Sequence, residues 1–264
     1  MLTIQKAVKT FNPNSVNEVQ ALREIDLEVD KGDFITIIGS NGAGKSTFLN
    51  SIAGSFILSS GKIIINNQDV TSWPEHKRAA NLGRVFQDPL LGTCTSLTIE
   101  QNMALALKRG KRRGLGFGVR AKDKIIFREQ LSTLGLGLEN RLTDQVGLLS
   151  GGQRQALTMI MATMTRPDIL LLDEHTAALD PKTGKKILEI TETVVSRDNL
   201  TTLMVTHNMN QAINMGNRLI MFHQGAIILD ISGKEKTGLK VEDLLERFYS
   251  LRGESMATDR MLFS

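Results

Sequence analysis

The sequence predicts an α/β fold whose core is a mainly parallel sheet. One observation is the succession of strand, glycine-rich loop and helix: residues 34–38 are a short apolar run, and residues 45–53 have a helical pattern. A second is that apolar runs at residues 169–172 and 203–206 flank a helical pattern near residues 183–196. Strands that alternate with helices in this way are typical of parallel sheets.

From about residue 90 to residue 166 the strand patterns disappear and helices are predicted instead. Residues 98–107 and 123–134 have helical patterns, and a basic, glycine-punctuated stretch at residues 108–120 lies between them. We therefore predict an α-helical subdomain inserted into the sheet-containing core.

The two ends of the chain predict further strands and one surface helix. Residues 1–30 alternate apolar and polar side chains around a turn at residues 12–14, which favours antiparallel strands. Residues 61–66 are typical of an edge strand, residues 218–230 of a hairpin and residues 241–250 of a helix.

These patterns predict one domain, 1–264, with three parts. Residues 1–89 and 166–233 would form the core with an antiparallel β subdomain. Residues 90–165 would form the helical subdomain, and residues 234–264 a C-terminal helix and tail.

The composition is that of a globular protein with one large core. With 264 residues and 41% hydrophobic content, the chain can bury a core that carries an inserted subdomain. Charged residues make up 23%, which argues against disorder over the whole chain. The net charge of +4 suits nucleic acid, an anionic membrane face or phosphate ligands, and does not choose among them.

The sequence also excludes several kinds of protein. Cys94 is the single cysteine, which excludes an intramolecular disulfide and a CxxC metal site and fits a reducing compartment. No segment reaches about 18 consecutive apolar residues, the length that would span a membrane. Residues 1–8 lack the basic and apolar regions of a secretory signal. We expect a cytoplasmic protein that acts at a membrane only through a partner.

Residues 39–46 match the phosphate-loop pattern G-x-x-x-x-G-K-[ST]. Glycine permits backbone conformations that turn successive N–H groups towards phosphate oxygens, and the following helix adds its positive N-terminal end. Lys45 would reach the β- and γ-phosphates of a nucleotide, and the Ser46 hydroxyl would bind Mg²⁺. A glycine-rich turn is the alternative, which the strand–helix context disfavours. The candidate ATP-binding residues are Gly39, Ser40, Asn41, Gly42, Ala43, Gly44, Lys45, Ser46 and Thr47.

Two acidic residues follow a predicted buried strand. Asp173 and Glu174 come directly after residues 169–172, at the end of the strand where parallel sheets bind ligands. Asp173 would hold Mg²⁺, and Glu174 would polarise the attacking water as a general base. Many strands end in acids, so this pattern alone decides little.

Two further polar residues, His207 and Gln87, are candidates for the same site. His207 follows the apolar run 203–206 and is a candidate contact for the γ-phosphate. Gln87 lies where the core gives way to the helical insertion, and its amide is a candidate ligand for Mg²⁺ and the attacking water. Without the other motifs, both residues would be interpreted as structural.

Residues 149–153 read Leu-Ser-Gly-Gly-Gln. Ser150 and two glycine amides at the start of a helix form a second candidate anion site. Because Ser150 belongs to the predicted helical insertion, we do not expect this site to fold back onto the phosphate loop of the same chain. The run therefore predicts half of a nucleotide site, which need not face the other half within one molecule.

Together these motifs make the chain resemble the nucleotide-binding subunits of ATP-binding-cassette (ABC) transporters over nearly its whole length. They stand in the family's order: Walker A at residues 39–47, Q-loop at Gln87, signature at residues 149–153, Walker B at residues 169–173, then Glu174, D-loop at residues 178–180 and H-loop at His207. The resemblance implies a P-loop NTPase (RecA-like) core, and ATP and Mg²⁺ as ligands. It implies ATP hydrolysis with Glu174, His207, Lys45 and Gln87 as catalytic residues.

The resemblance also implies a dimer of two copies closed head to tail around two ATP molecules. Mg²⁺ would be held by Ser46, Gln87 and Asp173, and adenine would stack on Phe11, where the family more often has Tyr. The residues that would contact the other copy's ATP are Ser150, Gly151, Gly152, Gln153 and Asp180.

One residue departs from the family pattern. After the catalytic glutamate the family usually has Pro, and here it is His175, to which we assign no catalytic role. Residues 173–180 with the basic insert near Lys111 resemble a bacterial subgroup that accompanies permeases like the branched-chain amino-acid ones. This implies a transmembrane permease, a separate solute-binding protein, and import of a small solute, with an amino acid as the candidate, at the cytoplasmic face of the membrane.

The basic run at residues 108–113 is typical of a solvated loop, with contact to the permease or lipid surface as the alternative. No aromatic residues interleave it, so nucleic acid is not expected as a partner. The competing function is a soluble cassette ATPase in DNA repair, chromosome organisation or translation. Such relatives carry long coiled coils or two cassettes; this chain has neither sustained heptads nor a second cassette, which favours transport.

Overall fold

The computed structural model describes residues 1–111 and 118–252. Arg112 and Arg113 of the basic run, and the C-terminal tail beyond residue 252, lie outside the described residues. The strands are β1 (Leu2–Phe11), β2 (Val19–Val29), β3 (Phe34–Gly39), β4 (Ser60–Ile65), β5 (Gln68–Asp69), β6 (Leu82–Val85), β7 (Ile169–Asp173), β8 (Thr201–Val205), β9 (Arg218–His223) and β10 (Ala226–Ser232). The helices are α1 (Lys45–Ala53), α2 (Glu75–Arg78), α3 (Ile99–Leu107), α4 (Ala121–Ser132), α5 (Gly151–Thr163), α6 (Pro181–Asp198), α7 (Met209–Asn214), α8 (Lys234–Thr237) and α9 (Val241–Arg252).

The described residues form two compact units. The first contains residues 1–78 and 201–252, and the second contains residues 79–111 and 118–200. None of the helices in the described ranges is both long enough and apolar enough to cross a lipid bilayer.

An antiparallel sheet in the first unit has the strand order β2-β1-β4-β5. Strands β1 and β2 pair from Leu2↔Val29 to Phe11↔Val19, with register shifts between. Asn12 and Asn14 in the connecting turn have φ of 48° and 61°, a left-handed conformation that asparagine tolerates. The turn predicted at residues 12–14 and the antiparallel β subdomain are confirmed.

The first unit also contains strands β10, β9, β3 and β8 side by side, with β3 parallel to both β9 and β8. Every residue of β3 and of β8 is buried, as expected of parallel strands covered on both faces. A core cluster joins β9 to the C-terminal helix α9 through Leu219, Met221, Leu244 and Phe248. The parallel strands and the hairpin of β9 and β10 were both predicted from the sequence.

The second unit pairs β6 and β7 in parallel and carries helices α3 to α6. The predicted helices at residues 98–107 and 123–134 are present as α3 and α4. Helix α3 begins where Thr98 and Gln101 form a capping box, in which each side chain accepts the other's backbone N–H. Between residues 90 and 165, the part of the chain that the structure describes contains no strand, as predicted.

Candidate functional site

The phosphate loop connects β3 to α1 in the first unit. Gly44 is the N-cap of α1, with φ of 101° and no side-chain cap. The first N–H groups of a helix have no partner within the helix, and the N-cap glycine has no side chain that could occupy the space in front of them. The N-terminal end of α1 is therefore suited to bind an anion.

Two glycines of the loop have no room for a side chain. A Cβ at Gly39, where φ is 150°, would lie 2.3 Å from the Phe222 carbonyl oxygen. A Cβ at Gly44 would lie 2.5 Å from the Ala21 carbonyl oxygen. Close backbone packing on the outer side of the loop thus requires glycine at both positions.

Lys45 is the first residue of α1, and its side chain returns over the loop. Only 5% of it is exposed, and its Nζ donates to the carbonyl oxygens of Gly39 at 2.7 Å and Ser40 at 3.0 Å. These bonds hold the ammonium group inside the curve of the loop. A phosphate bound there would replace these carbonyl oxygens as the acceptor of the Lys45 ammonium group. The ammonium group could therefore contact the phosphate without a large movement.

His207 leaves the sheet beside the phosphate loop. Strands β3 and β8 are parallel with Ile37 opposite Val205, and the N–H of Thr206 donates to the Ile37 carbonyl at 3.1 Å. The Thr206 hydroxyl accepts from the N–H of Asn208 at 3.1 Å, which fixes the turn that contains His207. The structure thus places His207 and the phosphate loop at the same end of neighbouring strands.

Phe11, the candidate for adenine stacking, lies at the end of β1 against a second aromatic ring. The rings of Phe11 and Phe56 are 5.3 Å apart and meet edge to face at 82°. The Nζ of Lys9 is 5.1 Å from both ring centroids and donates to the Ile57 carbonyl at 2.9 Å. Phe56 and Lys9 therefore fix the Phe11 ring. Neither of these two residues was predicted from the sequence as part of the site.

Gln87 and Glu174 leave the same end of the β6–β7 pair in the second unit. These strands are parallel, with Val85 opposite Leu172. Gln87 comes two residues after Val85, and Glu174 comes two residues after Leu172. The structure thus places both residues at the carboxyl edge of this strand pair. This is the edge at which parallel sheets bind ligands.

Asp173 ends β7 and faces Arg84 of β6. The Asp173 Oδ2 lies 4.0 Å from Arg84 Nη2, and both side chains are 15% exposed. The Arg84 guanidinium also stacks on the Phe86 ring, 4.3 Å from its centroid. The carboxylate is therefore held at the strand end by a fixed cation.

Glu174 has an unusual backbone conformation. Its φ is 46°, in the left-handed region that costs a non-glycine residue free energy, on the order of 1–3 kcal/mol. Its carbonyl accepts the N–H of Ala177 at 2.9 Å, which closes a turn. Such a backbone conformation persists only where neighbouring groups hold it in place, so the surroundings of Glu174 determine the position of this candidate general base.

The signature run forms the start of α5. Ser150 is its N-cap and forms a capping box with Gln153: Ser150 Oγ accepts the Gln153 N–H at 3.3 Å, and Gln153 Oε1 accepts the Ser150 N–H at 3.1 Å. Ser150 and Gly151 are exposed. Further along α5, the Gln155 Nε2 donates to the Phe86 carbonyl at 3.1 Å, which ties the signature helix to the residue before Gln87.

Asp180 caps the following helix, α6. Its side chain accepts the N–H of Thr183 at 3.1 Å. Hydrogen bonds from the Thr183 side chain and, second, from its backbone N–H lower the pKa of Asp180, which stays ionised at the helix N-terminus. Asp180 and Ser150 thus each mark a helix start within the second unit.

His175 is enclosed by the protein. It is 2% exposed, and its Nε2 lies 3.0 Å from the Thr191 hydroxyl oxygen in α6. Burial lowers the pKa of His175 to about 4, so the ring is neutral at ordinary pH. The absence of a direct catalytic role for His175 is consistent with this enclosure.

Arg78 was not identified from the sequence. It is 1% exposed, burial lowers its pKa, and its guanidinium donates to four backbone carbonyl groups. Nε donates to Trp73, Nη2 to Thr71, and Nη1 to Ser51 and Ile52 at the end of α1, at 2.7 to 3.0 Å. Arg78 therefore satisfies the last carbonyl groups of the phosphate-loop helix.

Comparison with known proteins identifies the family of the chain. The protein-family description "ABC transporter" matches residues 22–177. The chain belongs to the ABC transporter family. The α/β fold, the ATP-binding subunit and its ATPase activity, each implied by the sequence motifs, are thereby confirmed.

Two curated relatives illustrate the relationship. A tyrosine transport ATP-binding protein of Clostridioides difficile is 46% identical over 249 residues, which are 94% of this chain and 98% of that protein. A methionine import ATP-binding protein of Enterococcus faecalis is 32% identical and covers 94% of this chain and 76% of that protein.

Two solved structures have the same fold. An ATP-binding cassette solved as a dimer in a post-hydrolysis state with ADP and Pi has a TM-score of 0.75 and 30% identity, covering 88% of this chain and 98% of that chain. An ABC transporter cassette in its ADP conformation has a TM-score of 0.75 and 25% identity, covering 94% of this chain and 98% of that chain.

Proposed function

We propose that this ABC ATPase powers the import of an aromatic amino acid, with tyrosine as the first candidate, through a separate transmembrane permease. Support comes from the relative named for tyrosine transport, which is 46% identical and matched over 98% of its length. The branched-chain amino-acid subgroup suggested by the sequence has no such support. The assignment places the protein at the cytoplasmic face of the membrane, held there by the permease.

The phosphate loop is the observation that carries the ATPase part of the proposal. Gly39 and Gly44 fit a closely packed backbone curve that admits no Cβ at either position, and the Lys45 ammonium group is already held against the loop carbonyls. In the proposed roles, Lys45 and His207 contact the γ-phosphate, and Glu174 accepts a proton from the attacking water. Phe11 stacks on the adenine ring.

The proposed metal ligands fit Mg²⁺. A serine hydroxyl at Ser46, an amide oxygen at Gln87 and a carboxylate at Asp173 are hard oxygen donors, which Mg²⁺ prefers. Within the described residues no cluster of His, Cys, Asp and Glu forms a dedicated metal cage. Proteins usually bind Mg²⁺ through a few side chains together with the phosphates of the substrate, and not through a dedicated cage. When bound, the ion neutralises phosphate charge.

We propose a head-to-tail dimer of two copies. Ser150 and Gly151 are exposed at the start of α5, so this helix end is available to a second molecule's ATP. The proposed contact residues across the dimer are Ser150, Gly151, Gly152, Gln153 and Asp180. The dimeric cassette with ADP and Pi supports this arrangement, and a separate solute-binding protein completes the proposed importer.

The subdivision predicted from the sequence also remains part of the proposal. Residues 90–165 would act as the helical subdomain that carries the signature run, and residues 1–89 and 166–233 as the catalytic core. Residues 234–264 would be the C-terminal helix and tail.

Transport in reconstituted vesicles tests the proposal. The chain would be expressed with the membrane-protein genes that adjoin its own, and uptake of labelled tyrosine, methionine and leucine would be measured with ATP supplied on the ATPase side. We expect tyrosine uptake that requires ATP and is lost with Lys45→Ala. ATPase activity that responds to DNA or ribosomes and not to the permease would contradict transport and favour the soluble class.

A further inference from the structure

His175 connects the turn at Glu174 to the middle of α6. The ring is buried directly after the strained Glu174, and its Nε2 lies 3.0 Å from Oγ1 of Thr191. Thr191 is fully buried as well. Two buried side chains thus make a polar contact within the second unit, next to the candidate general base.

The direction of this hydrogen bond follows from Thr191. Its hydroxyl donates to the carbonyl of Ile187 at 2.8 Å, which uses its single proton. The oxygen of Thr191 can then only accept from the ring. His175 therefore carries its proton on Nε2, and the tautomer is set by the helix.

Helix α6 is also the element that Asp180 caps. The hydrogen bond from His175 therefore ties the Glu174 turn to the helix that the D-loop aspartate, Asp180, caps. A φ of 46° at Glu174 persists only where neighbouring contacts hold the backbone in place. The buried ring supplies such a contact one residue away.

We propose that His175 is a positioning residue for catalysis, which holds the Glu174 turn through its Nε2–H bond to Thr191. The inference rests on Glu174 being the general base. Loss of the bond displaces the carboxylate from the attacking water, and misplacement by about 1 Å costs on the order of a hundred-fold in rate. The nucleotide-binding groups Lys45 and Phe11 are not changed by it.

The test measures kcat and KM for ATP with the purified full-length protein. Thr191→Val removes the acceptor with little change of volume, and Thr191→Ser retains it. Thr163→Val is the matched control, since Thr163 is a buried helical threonine that donates to Met159 and not to a histidine. We expect Thr191→Val to lower kcat about ten-fold or more while KM changes less than about two-fold. Thr191→Ser should stay near wild type.

A double-mutant cycle separates positioning from general packing. His175→Ala and Thr191→Val should each lower kcat, and the double variant should be no slower than the slower single one, because both remove one bond. Losses of kcat that multiply, or a Thr191→Val enzyme as fast as Thr163→Val, would overturn the inference. If His175→Ala does not fold, the two Thr191 variants still decide. Absence of ATPase activity in the wild-type protein would instead count against the proposed function.

Discussion

Gly152 of the signature run lies directly against Thr183 of α6. A Cβ built at Gly152 would come 2.2 Å from Thr183 Cγ2, whereas one at Gly151 would meet Leu179 Cδ2 at an ordinary 3.6 Å. The two helices that carry Ser150 and Asp180 are thus in close contact within the second unit. This contact links two proposed contributions to the partner's ATP site.

Gly152→Ala should destabilise the protein because the new methyl group forces α5 and α6 apart. Overpacking of this kind costs about 1–3 kcal/mol, which chemical denaturation measures directly. Gly151→Ala is the matched control and should change stability less. Adding Thr183→Ser to Gly152→Ala removes the opposing methyl group and should restore stability. No recovery in the double variant would contradict the contact.

Arg78→Met should be strongly destabilising. The substitution leaves the carbonyl groups of Ser51, Ile52 and Thr71 without the Arg78 donor in the protein interior. We therefore expect the free energy of unfolding to fall by about 3 kcal/mol or more. Lys77→Met, which removes a neighbouring cation stacked on Trp73, should cost under about 1 kcal/mol. Equal losses would show that Arg78 does not secure the end of α1.

Local patterns explain why much of this fold could be predicted. Helix α1 has the predicted bounds because Gly44 and Gly54 flank it in left-handed conformations, so the residues that begin and end it are in the sequence. In the signature run, Ser150 and Gln153 belong to the motif and also form the capping box that begins α5. The strand-loop-helix arrangement follows from such short-range signals.

Contacts between distant residues could not be predicted in this way. Spacing does not show that Arg78 meets carbonyl groups 26 and 27 residues earlier in the chain, or that His175 meets Thr191. Nor does it show that Phe56 packs on Phe11. These contacts depend on which polar groups are buried together, and a single sequence does not contain that information.

Stability should fall on acidification partly because of His175. Unfolding returns the ring to its ordinary pKa of 6.5, whereas burial holds the folded pKa at about 4. Below pH 6.5 the unfolded chain binds the proton first, so stability present above that pH is lost between 6.5 and 4, by about 3 kcal/mol in total. The free energy of unfolding of His175→Gln, measured from pH 7 to pH 4, should decline less than that of the wild type. Parallel declines would contradict the assignment.

Phe11→Ala should weaken ATP binding more than it slows hydrolysis. Stacking of a base on an aromatic ring contributes about 1–3 kcal/mol, so we expect KM for ATP to rise about ten-fold with kcat little changed. Phe11→Tyr keeps the ring and serves as the control. An unchanged KM in Phe11→Ala would show that adenine binds elsewhere.

We propose Glu174 as the general base of an ATPase that closes as a dimer. Phosphate release by Glu174→Gln, with size-exclusion chromatography in the presence of ATP and Mg²⁺, tests it most directly, with Glu192→Gln on the exposed face of α6 as the control. We predict that Glu174→Gln binds ATP, elutes as a dimer and releases phosphate at no more than about one hundredth of the wild-type rate. Glu192→Gln should behave as the wild type. Wild-type phosphate release by Glu174→Gln would contradict the claim.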